Sequence, residues 1–262
     1  MKDKRRITFV CEFQSWIYFV FNPASLILYH KQDYLVFNPL SFILHPRNMY
    51  IAIAGNIGAG KTTLTKMLAK HYGWEPRFES VKFNPYLSDY YTDIPRWSFC
   101  LETYFLKERF KDMLAIAQAD HTIVQDRSIY EGVYVFVRNN YRRGDLSKRD
   151  FETYMELFDL MKQQMRLPDL MIYLRKSVPA LIAQIQQRGR DYEQTMQIDY
   201  LSDLNDEYED FIFHQYEGKV LVIEADGLDF EHRPEDFQRV NNKIDAQLFG
   251  LFWPSKSPLK GD

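Results

Sequence analysis

Cysteine is almost missing from this chain: Cys11 and Cys100 are the two in 262 residues, and they stand far apart. No disulfide framework and no Cys-Cys metal spacing can be built from them, so two inert thiols in a reducing cytosol are expected. A basic excess is missing too. Lys and Arg number 33 against 36 Asp and Glu, for a formal net charge of −3. A protein that tracks a phosphate backbone needs a cationic surplus, so nucleic acid is not an expected partner. The third absence is a long apolar run. Residues 1–48 begin basic and turn rich in Phe, Tyr, Leu and Ile, but Glu12, Gln14 and Pro23 break the apolar stretches. A membrane-spanning helix needs about 20 mostly apolar residues, so no membrane partner is expected. No small-residue cleavage site follows to make this segment a secretory signal.

What remains is ample material for a core. The chain is 46% hydrophobic and 16% aromatic, enough for one principal globular domain. From Met49 the pattern is regular: "MYIAIAG" is a short β-prone run, and "TLTKMLAKHYG" has helical spacing with Gly73 at its end. Further strand candidates are "RFES", "HTIVQD", "DLMIYLR" and "KVLVIEA", separated by helical patterns such as "RWSFCLETYFLKERFKDMLAIAQA" and "RDFETYMELFDLMKQQM". This alternation predicts an α/β fold, a five-stranded parallel sheet flanked by helices on both faces. The expected organisation is an extension over 1–48 with Met49 as the effective start, a domain over 49–253, and a frayed tail over 254–262.

The first strand-to-helix turn carries the strongest chemical signal. "GNIGAGKTT", Gly55, Asn56, Ile57, Gly58, Ala59, Gly60, Lys61, Thr62 and Thr63, fits G-x-x-x-x-G-K-[ST] in the strand-loop-helix context that the motif requires. Glycines let backbone N–H groups close around phosphate oxygens at a helix N-terminus. Lys61 then reaches the outer phosphates, and the Thr62 hydroxyl can ligate Mg²⁺. A nucleoside triphosphate is the expected ligand.

Three further stretches bear on what accepts the phosphoryl group. "QDRSIYEG" puts Asp126 and Arg127 at the carboxyl end of a predicted strand, a carboxylate for the metal beside a guanidinium for developing phosphate charge. "QQRGRDYEQ" supplies Arg188 and Arg190 around a glycine, the pattern of a cationic lid. "RFESVKFNPYL" places Glu79 at the end of the second predicted strand, where a carboxylate can take a proton from an attacking hydroxyl.

In that order, "GNIGAGKTT", the strand-end "ES", "RWSFCLETYFLKERF", "DRS" and "RGRDYE" resemble the deoxynucleoside kinases, and most of all the bacterial deoxyadenosine and deoxyguanosine kinases, from Met49 to about Trp253. The resemblance implies a P-loop kinase fold, ATP and Mg²⁺ as cofactors, a deoxyribonucleoside substrate, a cytoplasmic role in nucleotide salvage, and a homodimer. It implies that Glu79 activates the 5′-hydroxyl, that Arg127 steadies Glu79 and the transferring group, and that Asp126 and Thr62 handle Mg²⁺. Tyr91 and Glu193 match the pair that holds the sugar 3′-hydroxyl, Phe136 matches the aromatic that stacks on the base, and Asp226 to Phe230 match the loop that encloses the adenine of ATP.

Departures from the family pattern fall where base choice is made. Glu102 stands where the family commonly has Gln, and Gly132 where many members have Asp paired with the arginine matching Arg109. On a helix, Phe99, Glu102, Leu106 and Arg109 share one stripe, so Glu102 is expected to face a pocket lined by Phe99, Leu106 and Phe136, with Arg109 as counter-charge. A carboxylate suits the adjacent N1–H and N2–H₂ donors of guanine, and Arg109 its O6, which favours 6-oxopurine deoxynucleosides over deoxyadenosine. Two rivals stay open: a nucleoside monophosphate kinase of the thymidylate kinase type, and a non-catalytic nucleotide-binding subunit.

Overall fold

The computed structural model describes residues 18–22, 25–30, 33–37, 48–79, 84–189 and 197–250. These belong to two compact units, residues 1–47 and 48–262. In the first unit, β1 (Tyr18–Asn22), β2 (Ser25–His30) and β3 (Asp33–Phe37) pair antiparallel in that order. Among the described residues, no helix is long and apolar enough to cross a membrane.

The second unit is built on β4 (Tyr50–Ala54), whose five residues are all buried. Around it run β5 (Glu75–Arg77), β6 (Ile123–Asp126), β7 (Leu170–Arg175) and β8 (Val220–Glu224), in the order β5-β6-β4-β7-β8 and parallel throughout. Alternation along β4 decides the layers: Tyr50, Ala52 and Ala54 enter one apolar core, Ile51 and Ile53 the other. A strand buried on both faces is what a parallel sheet requires, and the five expected strands appear as expected in kind.

The helices are α1 (Lys61–Tyr72), α2 (Leu87–Thr92), α3 (Ile94–Gln118), α4 (Ile129–Glu131), α5 (Arg138–Arg142), α6 (Lys148–Lys162), α7 (Val178–Arg188), α8 (Ile198–Asp210) and α9 (Pro234–Phe249). A π-helical segment, Gly132–Val137, joins α4 to α5. Asp93 caps α3 by accepting from the Arg96 N–H, and Ser147 caps α6 by accepting from the Asp150 N–H. One face of the sheet is closed by Leu106 and Met113 of α3 and Tyr154 and Phe158 of α6, the other by Leu64 and Leu68 of α1 and Val240 and Ile244 of α9.

The second strand differs from expectation. It spans Glu75–Arg77 and not "RFES", because among the described residues its only ladder is with β6, whose pairing stops at the Arg77–Gln125 register. One residue past β6, Arg127 takes a positive φ of 66° and the chain leaves the sheet. Glu79 therefore sits on irregular backbone just beyond the strand. From β4 the chain crosses to β5 on one side, and from β6 to β7 on the other, so the order reverses at β4 and β6. Ligands of open α/β sheets bind at the carboxyl ends of the strands flanking such a reversal.

Candidate active site

The phosphate loop occupies the carboxyl end of β4. Gly58 and Gly60 hold φ of 84° and 96°, and a Cβ at Gly58 would lie 2.9 Å from the Leu181 carbonyl oxygen. Only glycine satisfies both demands. Lys61 Nζ donates to the carbonyls of Gly55 and Asn56 at 2.7 and 2.9 Å, and burial lowers its pKa to about 8. The Thr62 hydroxyl donates to Asp126 Oδ2 at 2.5 Å, which brings together the two oxygen groups expected to hold Mg²⁺. Asn56 is anchored from α8: its Nδ2 donates to the Leu201 carbonyl and to Asn205 Oδ1, both at 3.0 Å.

Beside the loop opens a cavity of about 700 Å³, lined among others by Lys61, Thr62, Glu79, Tyr91, Glu102, Arg109, Asp126, Arg127, Phe136 and Arg188. These residues come from seven separate stretches of chain, and all were expected at the site. Within it, Glu79 lies between two guanidiniums: Arg109 Nη2 donates to Oε1, and Arg127 Nη1 stands 3.6 Å from Oε2. Burial pushes the Glu79 carboxyl up, but Arg127, Arg109 and Lys61 outweigh it and hold the pKa at about 2. Arg127 also covers the Phe136 ring, its Cζ 4.3 Å from the centroid. Arg188 ends α7 at the exposed rim. Arg190 and Glu193 lie outside the described residues.

Two expectations about α3 are corrected. Phe99 and Leu106 do not line the cavity; Leu101 and Phe105 do, while Leu106 is buried in the core. The stripe through Glu102 is the border between two faces: residues one before and three after it turn to the cavity, and those three before and four after turn to the sheet. Nor is Glu102 ion-paired with Arg109. Arg109 is held by Glu79, because Gly132 lets its Nη1 lie 2.3 Å from where a Cβ would stand. The charge that balances Arg109 therefore lies at Glu79. Glu102 is 3% exposed and accepts from Asn140 Nδ2 at 3.3 Å, and burial raises its pKa to about 7 against the pull of Arg109.

The two residues expected around adenine, Asp226 and Phe230, do not line this cavity. Asp226 Oδ1 accepts from the Ser177 N–H at 2.9 Å, and the Phe230 ring lies 3.1 Å from the position of a Cβ on Gly60. The loop between them abuts the phosphate loop and is fixed to the start of α7.

Sequence reasoning passed over Glu131. It is fully buried, its Oε1 accepts from the Gly55 N–H at 3.3 Å and the Tyr208 hydroxyl at 2.9 Å, and its Oε2 accepts from the Ser128 N–H at 2.8 Å. The signal was available, since "SIYE" is the S-x-x-E capping box that α4 forms. Glu131 thus ties the phosphate loop to the Asp126–Arg127 turn. Glu131→Ala strands four donors, the Ser128 hydroxyl at 3.4 Å being the fourth; each costs about 1–3 kcal/mol when left unpaired, so a loss of about 3 kcal/mol or more is expected in urea unfolding. A loss under about 1 kcal/mol would show that water replaces the carboxylate. Asn140, Tyr90 and Tyr200, which surround Glu102, carried no such signal.

Comparison with known proteins gives the same picture. The deoxynucleoside kinase family profile matches residues 51–249. A deoxyadenosine/deoxycytidine kinase of Bacillus subtilis is 37% identical over 75% of this chain and 92% of its own length. A deoxyguanosine kinase of the same organism is 33% identical over 73% of this chain and 93% of its own. The structure of a deoxyadenosine kinase from M. mycoides with bound dATP superposes with a TM-score of 0.68 at 31% identity, over 75% of this chain and all of that one.

Proposed function

We infer that this chain, which belongs to the deoxynucleoside kinase family and is a phosphotransferase, moves the γ-phosphoryl group of ATP to the 5′-hydroxyl of a purine deoxyribonucleoside. One observation carries the reading: a carboxylate, Glu79, shares the cavity with Lys61 and Thr62 and engages both Arg109 and Arg127. A monophosphate acceptor would need cations facing its phosphate at that place, and here both guanidiniums face a carboxylate instead. A hydroxyl acceptor needs only a base within hydrogen-bond reach.

Phosphoryl transfer asks the protein for alignment and charge neutralisation more than for covalent help. In this reading Glu79 orients the 5′-hydroxyl and receives its proton, Arg127 faces the charge that develops on the transferring group, and Lys61 leaves its two carbonyl partners for the outer phosphates. Arg188 and Arg190 close over the triphosphate, Tyr91 and Glu193 hold the 3′-hydroxyl, and Phe136 stacks on the base with the face that Arg127 leaves open. The Thr62 hydroxyl and Asp126 carboxylate form a hard oxygen pair that suits Mg²⁺. When bound, the ion would neutralise phosphate charge. Arg109 and Glu102 line the same cavity, a cation for an acceptor at O6 beside a carboxyl group for N1–H, which supports deoxyguanosine or deoxyinosine over deoxyadenosine. A homodimer through α3 and α6 is supported by exposed Leu114 and Leu160 on those helices.

The test is an ATP-coupled assay of the full chain on deoxynucleosides and on nucleoside monophosphates, with light scattering on the same preparation for the dimer. Turnover of deoxynucleosides with none of monophosphates is expected. Faster turnover of a monophosphate overturns the acceptor, and no turnover of either supports a binding subunit instead.

A further inference from the structure

The base-reading position holds a carboxyl group where an amide would have one fixed hydrogen-bonding pattern. We propose that Glu102 reads the base in two protonation forms, as a carboxylic acid for bases with an amino group beside a ring nitrogen acceptor, and as a carboxylate for 6-oxopurines, so that one site changes its base preference with pH. The inference rests on the nucleoside kinase reading given above.

The geometry leaves both forms available. Glu102 lines the cavity yet is 3% exposed, and no ion pair to it forms among the described residues. Its hydrogen bond comes from the neutral amide of Asn140 on α5, which accepts either form as a partner. The groups facing it are of mixed sign. Arg109 on its own helix and Arg127 beyond β6 favour the carboxylate, and Glu79 beyond β5 disfavours it. Tyr90 on α2, Tyr154 on α6 and Tyr200 on α8 complete the surroundings, and each is held neutral because burial raises its pKa above the usual range of tyrosine. Asn140 and the three tyrosines supply no net charge. Each guanidinium pairs with Glu79 and not with Glu102, and burial outweighs their pull on Glu102, whose pKa is raised to about 7.

The two forms present opposite patterns. Below that pH the acid O–H donates to N1 of adenine while its C=O accepts from N6–H, and cytosine offers the same pair through N3 and N4–H. Above it both oxygens accept, and among the purines only guanine or hypoxanthine offers N1–H to them, with N2–H₂ in guanine as well. A wrong pairing leaves a buried polar atom without a partner, which discriminates strongly.

The experiment measures kcat/KM of the full chain for deoxyguanosine and deoxyadenosine, with ATP saturating, from about pH 5.5 to about 8.5. Neither base titrates in this window, and the ratio of the two cancels groups that serve both substrates, Lys61 included. The deoxyguanosine-to-deoxyadenosine ratio is expected to rise through pH 7 by roughly 10- to 100-fold in all. Glu102→Gln is expected to flatten the profile at the adenine-favouring end. A ratio that stays flat in the wild-type chain while both nucleosides turn over overturns the proposal, as does a slope that survives in Glu102→Gln. No turnover of any nucleoside at any pH sinks the kinase reading and this inference with it.

Discussion

Glu79→Gln is expected to lower kcat by about 10²- to 10⁴-fold, the usual range for losing a general base, while ATP affinity stays within about threefold because, among the described residues, the phosphate loop makes no hydrogen bond or ion pair to that side chain. The expectation is not trivial, since a carboxyl at about pH 2 is a weak base for an alcohol. In a loose phosphoryl transfer, however, the hydroxyl becomes acidic only as its bond to phosphorus forms, so the proton leaves late and a weak, well-placed acceptor suffices. The low pKa also has a pH consequence. A carboxyl depressed below its ordinary 4.5 contributes stability that is complete above that value and lost as pH falls through about 2. Glu79 therefore stays ionised across any physiological pH, and an acid limb of kcat near neutrality belongs to another group. Steady-state rates together with ATP binding by calorimetry decide the matter, and a variant within threefold of wild-type kcat would remove Glu79 from the role of base.

Legibility in the sequence followed the distance over which each interaction acts. The phosphate loop was readable because its demands are met by consecutive residues: positive φ at Gly58 and Gly60, and Lys61 folding back on Gly55 and Asn56. The helices of α1, α3 and α6 and the five strands were readable for the same reason, from local periodicity. Pairings across the chain were not. Nothing local says that Arg109 belongs to Glu79, 30 positions away, since that choice depends on the missing side chain at Gly132 and on which face of α3 meets the sheet. The error over Phe99 and Leu106 has the same origin. A helical stripe fixes which residues are neighbours but not which way the stripe turns, and here Glu102 lies on the border of cavity and core. The end of β5 was misplaced because strand length is set by the partner, and β6 offers pairing only as far as Gln125. The π-helical segment at Gly132–Val137 has no signature in the sequence pattern at all.

Arg127 combines function with backbone strain, and its two parts can be separated. Its φ of 66° is one of two positive values at non-glycine residues among the described residues, and its N–H donates to the Ile53 carbonyl at 3.1 Å, extending the parallel ladder by one bond as the chain turns away toward α4. The left-handed conformation costs a residue with a Cβ about 1–2 kcal/mol, and such strain persists where surrounding structure over-determines it. Here the guanidinium is fixed by Glu79 and Phe136, so the turn delivers the charge to the cavity. Arg127→Ala and Arg127→Gly remove the same charge, so both are expected to lower kcat by about 10³-fold or more, as loss of a catalytic arginine in phosphoryl transfer does. They differ only in the backbone. Glycine relieves the strain and alanine keeps it, so Arg127→Gly is expected to be the more stable of the two by about 1 kcal/mol despite the greater freedom glycine gives the unfolded chain. Urea unfolding of the two variants side by side reads that difference. Equal stabilities would mean that the turn is set by the local chain without strain, whereas the expected gap identifies a residue kept in a costly conformation because its side chain is needed at the cavity.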